Sequence, residues 1–193
     1  MHHIYHTEGI ILGSRSQGEA GKYYFIFTRD LGMIMATAAG VRKISSKLRF
    51  VLTDFAHLKI DLVSGRNIFR ITTASKTDIL ENITKKTENF KVFASIALLL
   101  KRLLAGVEHN EILFDDLVRG LTILEKAETN EDLCNIEAII VLRILNNLGY
   151  IGESLVAENI IKSPFEQNLI FEASKNRTQI LSEINKALKE TDL

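Results

Sequence analysis

Apolar and polar residues change their period once along this chain, near residue 78. Before that point the pattern belongs to strands. Residues 55–63 (Phe-Ala-His-Leu-Lys-Ile-Asp-Leu-Val) set Leu58, Ile60 and Leu62 on one side and Lys59 and Asp61 on the other, the alternation of a half-buried strand. Residues 7–14 read as a first strand, closed by a polar loop through Gln17-Gly18-Glu19-Ala20-Gly21. Residues 22–29 are aromatic and β-branched, which suits a strand buried on at least one face. Asp30-Leu31-Gly32 supplies a tight turn into a third strand, Gly32 to Ala39, so strands two and three form a hairpin. After the turn Ser64-Gly65-Arg66-Asn67, Ile68 to Thr73 completes a set of five. Short strands without a long helix between them predict a small closed sheet. An OB-type barrel is the economical form, because closure removes exposed edges.

From Thr77-Asp78 onward the period is helical. Phe93, Ile96, Ala97, Leu100, Leu103 and Leu104 recur along one face, opposite Lys91, Ser95 and Arg102, with Gly106 as a stop. Residues 111–127 repeat the pattern through Ile112, Leu113, Leu117, Leu121 and Leu124. The segment 132–148 is apolar nearly all round and ends at Gly149, which predicts the central helix of a bundle with a glycine cap. Ser163-Pro164 marks a loop, and a last helix is expected from about Thr178 to Lys189.

Charge changes the picture. The formal net charge of the 193 residues is zero, but its distribution is uneven. Residues 1–78 hold eleven Lys/Arg against six Asp/Glu, a net +5, and residues 79–193 hold thirteen against eighteen, a net −5. The first half is fitted to a polyanion. Within it, Ala39-Gly40-Val41 leads into Arg42, Lys43, Lys47 and Arg49, with Ser45 and Ser46 between them. No acidic residue lies between Asp30 and Asp54 to neutralise these cations. A strand running into an uncompensated basic loop presents charge to a phosphate backbone.

Catalytic chemistry finds no foothold. Gly21-Lys22 is preceded by Ser16 where a phosphate-binding loop needs glycine, and Tyr23 stands where Ser or Thr would hold magnesium. His2, His3 and His6 have no acidic or thiol ligand close in sequence. The single cysteine, Cys134, excludes a disulfide framework and a cysteine-based zinc site. Asp115 and Asp116 point about 100° apart on a helix, a poor metal pair, and His57 has no evident acid–base partner. No metal, cofactor or enzymatic activity is expected. The N-terminus lacks the pattern of a signal peptide and no apolar run is long enough to cross a membrane, so no membrane partner and a cytoplasmic setting are expected. Among aromatics, Tyr23, Phe25 and Phe27 share one face of strand two, and Tyr24, Ile26 and Thr28 the other. Core packing suits the Phe pair, which leaves Tyr24 as the candidate for stacking on a base.

The order of these features resembles a known family. Thr7-Glu8-Gly9-Ile10-Ile11-Leu12, Gly18-Glu19, Phe27-Thr28-Arg29-Asp30-Leu31-Gly32, Ala39-Gly40-Val41-Arg42-Lys43, Ser46-Lys47-Leu48-Arg49, Leu58-Lys59-Ile60-Asp61-Leu62 and Arg70-Ile71-Thr72 resemble the N-terminal domain of the RecO recombination mediators. Leu142-Arg143-Ile144-Leu145-Asn146-Asn147-Leu148-Gly149-Tyr150 is similar to the family's helix with its Leu-Gly-Tyr stop. The resemblance implies an OB barrel joined to a helical bundle, without nucleotide chemistry. It also implies binding of single- and double-stranded DNA, annealing of complementary strands and, with RecR, loading of RecA onto DNA coated by single-strand-binding protein. Nucleoid association follows from the same role. Ala39 replaces the family's usual lysine before the loop glycine, which implies weaker DNA binding. Residues 151–171 lack the four cysteines that form a zinc module in many members, so a metal-free hairpin or helix is expected there.

The expectation is therefore an α+β protein, with a five-stranded OB-type barrel over residues 1–78 and an all-α helical domain over 79–193. The candidate DNA contacts are Arg42, Lys43, Lys47 and Arg49, with Lys22, Tyr24 and Arg15. The family's helices bind the acidic, phenylalanine-ending tail of single-strand-binding protein, and Lys101, Arg102 and Arg143 are the candidate cations for it. An arginine inside so apolar a helix needs a counter-anion, either a bundle carboxylate such as Glu137 or a ligand. The alternatives are a general OB-fold module for single-stranded DNA or RNA without mediator activity, and an enzyme with an unrecognised site.

Overall fold

The computed structural model describes residues 3–66, 68–104, 109–152 and 154–191. Gly106, expected to stop a helix, lies outside the described residues, as do His2 and Asn67.

Five strands close into a barrel in the order β1-β2-β3-β5-β4. They are β1 (Ile4–Gln17), β2 (Gly21–Thr28), β3 (Gly32–Ala38), β4 (His57–Ser64) and β5 (Phe69–Lys76). β1 is longer than the expected 7–14 because it serves two partners. Its first half pairs with β4, and from Gly9 onward it pairs with β2. β3 and β5 close the ring in parallel through Ala36–Phe69 and Thr37–Arg70. The β2–β3 turn is fixed by Thr28, which is fully buried: its Oγ1 donates to Gly32 O and accepts from the Leu31 amide.

The barrel interior holds Ile11, Tyr24, Ile26, Ala36, Leu58, Ile60, Leu62 and Ile71. β4 thus places its apolar positions inward as its alternation requires. Val41 and Leu52 are buried in the same cluster, and Leu48 and Val51 pack on it. The segment between β3 and β4 therefore plugs one mouth of the barrel.

Six α-helices follow among the described residues: α1 (Thr87–Leu103), α2 (Glu111–Lys126), α3 (Asn130–Asn147), α4 (Leu155–Lys162), α5 (Gln167–Lys175) and α6 (Arg177–Glu190). α3 is the central one, as its all-round apolarity demands; it packs on α1, α2, α4, α5 and α6. Its N-terminus is capped by Thr129, which accepts from the Asp132 amide, and Gly149 ends it at φ +81°. That left-handed backbone is nearly free for glycine alone. Asn89 ties α1 to the end of α2, donating from Nδ2 to Leu124 O and Ala127 O. Ile112, expected on the inner face of α2, is 74% exposed. Residues 151–171 contain α4 and the first half of α5, the helical of the two expected alternatives.

One core crosses from barrel to bundle. Ile10, Leu12 and Phe27 of the barrel belong to the same buried cluster as Phe93, Leu100, Phe114 and Leu117. Phe27 lies 5.5 Å from Phe114, ring to ring, and Phe55 lies 4.9 Å from Phe93. Burying each such ring contributes roughly 1.5–3 kcal/mol. At the rim, Arg29 pairs with Glu111 (2.7 Å) and Asp115 (3.0 Å) of α2.

Candidate nucleic-acid interface

The basic loop is held from beneath and open above. Val41, Leu48, Val51 and Leu52 face the barrel, while Arg42, Lys43, Lys47 and Arg49 are exposed. The backbone is ordered by local bonds. The Lys43 amide donates to Gly40 O, Ser46 to Lys43 O, and Arg49 to Ser46 O, leading through a single 3-10 turn at Lys47–Arg49. Arg42 docks on the β1–β2 turn: its amide donates to Ala20 O (2.9 Å) and its Nη1 to Gly18 O (3.4 Å). Among the described residues, none of the four cations has a carboxylate within ion-pair distance. They are free to exchange counterions for phosphates.

Lys22 lies across from Ala38, where β3 runs into this loop, and Arg15 stands on the outer wall of the barrel. Lys22 pairs with Ala38 and Ser16 at the ends of their strands, and its Nζ donates to Ser14 Oγ (3.3 Å). Arg15 sits opposite Tyr23 on β1, with its guanidinium carbon 5.6 Å from the Phe25 ring centre.

Tyr24 does not belong to the interface. It is fully buried inside the barrel, and burial with the nearby Asp54 charge pushes its phenol up to about 12. A base cannot reach it. The half-exposed aromatics of β2 are instead Tyr23 and Phe25, on the outer face with Met35. Alternation identifies which residues share a face, and only closure of the sheet decides which face is inside.

The three cations expected to form a protein-binding site are not brought together. Arg143 is buried and consumed internally: Nη1 donates to Asp116 Oδ1 (2.7 Å), and Nη2 to Ile160 O (3.0 Å) and Ser163 O. Its counter-anion is Asp116 and not Glu137. Lys101 reaches toward the barrel, where its Nζ lies 3.4 Å from where a Cβ on Gly13 would stand. Only Arg102 faces a groove, one of about 410 Å³ between α1, α3 and α6 that includes Leu98, Glu137, Arg177 and Leu181. Burial raises the Glu137 carboxyl, and Ser95 and Arg177 offset part of the rise.

Two histidines without partners close in sequence acquire them in the folded chain. His57 is buried under Phe114, with Nδ1 2.6 Å from Thr77 Oγ1 and Nε2 3.9 Å from Glu8 Oε2. His6 Nδ1 lies 2.6 Å from Asp61 Oδ1 across the β1–β4 pair. The one cysteine, Cys134, sits on α3.

The class of protein so defined is an OB-type barrel that carries an exposed basic loop and shares its core with a helical bundle. Comparison with known proteins specifies it. Residues 1–80 match the model of the family described as Recombination protein O N terminal. The similarity continues beyond the barrel. The chain is 30% identical over 151 residues to a DNA repair protein RecO of Heliobacterium modesticaldum, covering 78% of this chain and 53% of that protein. It is 30% identical over 147 residues to a DNA repair protein RecO of Rubrobacter xylanophilus, covering 76% and 58%. A third relative of the same description, from Alkaliphilus metalliredigens, is 28% identical over 122 residues, covering 63% and 50%. The chain therefore spans about half the length of the curated relatives it matches.

Proposed function

We propose that this chain is a non-enzymatic DNA-binding protein of recombinational repair, acting in the cytoplasm at the nucleoid. In this reading it holds single and double strands at the barrel's basic loop, anneals complementary strands and, together with RecR, helps load RecA onto DNA coated by single-strand-binding protein. The observation that carries it is the loop itself. Four exposed cations, without ion-pair partners among the described residues, stand on a backbone fixed by buried Val41 and Leu52. Such a surface binds phosphates through counterion release with little reorganisation. Lys22 and Arg15 extend it along the strands.

The negative helical half suits protein contacts. With Arg143 engaged by Asp116, our candidate for the tail of single-strand-binding protein is the α1/α3/α6 groove. Leu98 and Leu181 are exposed apolar side chains there, and Arg102 and Arg177 supply cations for a carboxylate. The core shared by barrel and bundle supports joint action over a detachable OB module.

The test is annealing of complementary strands, each coated with single-strand-binding protein, without any nucleotide. Acceleration by the wild type, lost on replacing Arg42, Lys43, Lys47 and Arg49 by Ala, is the expected result. No acceleration, or a need for nucleotide hydrolysis, would count against the mediator role.

A further inference from the structure

The basic loop carries two large apolar side chains that phosphate binding does not use. Ile44 is 88% exposed and Phe50 is 72% exposed. Apolar neighbours were within reach, since Leu48, Val51 and Leu52 of the same segment turn into the barrel mouth. The backbone separates them. Bonds from the Val51 and Leu52 amides to Leu48 O wind this stretch into a turn that sends 48, 51 and 52 inward and leaves 47, 49 and 50 outward. Phe50 is thus presented by an ordered turn, with the Arg49 guanidinium carbon 5.8 Å from its ring centre.

An exposed aromatic beside exposed cations fits a ligand that offers phosphates and flat apolar faces together. Single-stranded nucleic acid does so, with one π-face per nucleotide. A duplex offers the phosphates but keeps its bases stacked inside. An acidic peptide offers charge without repeated planar faces. We infer that Phe50 is a base-stacking platform, by which the basic loop distinguishes unpaired from paired strands. The inference rests on the DNA-binding reading and deepens it. A base on Phe50 leaves it when that base enters a duplex stack, so the loop holds its substrate more firmly than its annealed product.

The sequence contains no tryptophan, so Phe50→Trp installs a single reporter at the site. Binding of an oligothymidylate should quench its emission, while a duplex of equal length and inorganic polyphosphate should bind without quenching. Phe50→Ala should weaken oligothymidylate binding by about tenfold or more, the effect of losing one stacked base, and leave duplex affinity within about twofold. Circular dichroism melts check that both variants are folded. Equal losses on the two substrates, unchanged single-strand affinity, or quenching by the duplex would overturn the stacking role. If the wild type binds both DNAs with steep salt dependence and Phe50→Ala alters neither, only this inference fails. If the wild type binds neither, the DNA-binding reading fails with it.

Discussion

Arg143 and Asp116 form a buried ion pair, Nη1 to Oδ1 at 2.7 Å, with the arginine 7% and the aspartate 20% exposed at the side chain. The same guanidinium donates to Ile160 O and Ser163 O at the end of α4, carbonyls that a helix terminus leaves without partners. One residue of α3 thereby holds α2 and α4 together, and Phe165 lies 4.9 Å from its charge.

Arg143→Ala should lower stability by about 3 kcal/mol, because it strands a partly buried carboxylate and two carbonyls. Urea denaturation measures it. Replacing both partners, Arg143→Met with Asp116→Leu, should recover most of the loss. A single variant as stable as wild type would contradict the internal role.

The Phe27–Phe114 contact predicts that barrel and bundle unfold together. Phe114→Ala should cost about 3–5 kcal/mol through the cavity it opens. Tyrosine absorbance, which reports largely on the barrel, and far-ultraviolet helicity should share one thermal transition. Two separate transitions in the wild type would show that the seam does not couple them.

His57 makes that seam sensitive to acid. Burial lowers its pKa from the ordinary 6.5, the Glu8 carboxylate opposes the shift, and Lys59 adds to it. A histidine that binds protons more weakly in the folded state favours folding fully above pH 6.5, and this contribution is lost as pH falls below it. The urea midpoint should fall between pH 7.5 and about 5.5, and by less in His57→Gln. Parallel pH profiles for the two proteins would remove His57 as the cause.

The barrel was legible because β4 alternates, and the bundle because α1 to α3 carry helical periods. The two faces of β2 were not separable by pattern, since both are apolar for different reasons. Tyr24 and Ile26 fill the barrel, while Phe27 packs on the bundle. That Arg143 needed an anion followed from its apolar surroundings; that the anion is Asp116 depends on how α2 packs against α3, which local sequence does not encode. For residues 151–171 hairpin and helix both stayed open, because the eight residues of α4 and nine of α5 give barely two turns of periodicity each. The basic loop stood out because charge without compensation needs no fold to be seen. Phe50, lying next to it, gave no signal until its neighbours turned inward and it did not.

The central claim is that Arg42, Lys43, Lys47 and Arg49 grip a phosphate backbone, and the salt dependence of single-strand binding tests it most directly. With one phosphate per cation, the logarithm of the binding constant should fall against the logarithm of salt concentration with a slope near −3, from about −0.7 per contact. Replacing all four by Ala should flatten that slope and leave the melting temperature nearly unchanged, because exposed charges add little to folding. A quadruple variant that keeps the full slope would place the DNA-binding surface elsewhere on the protein.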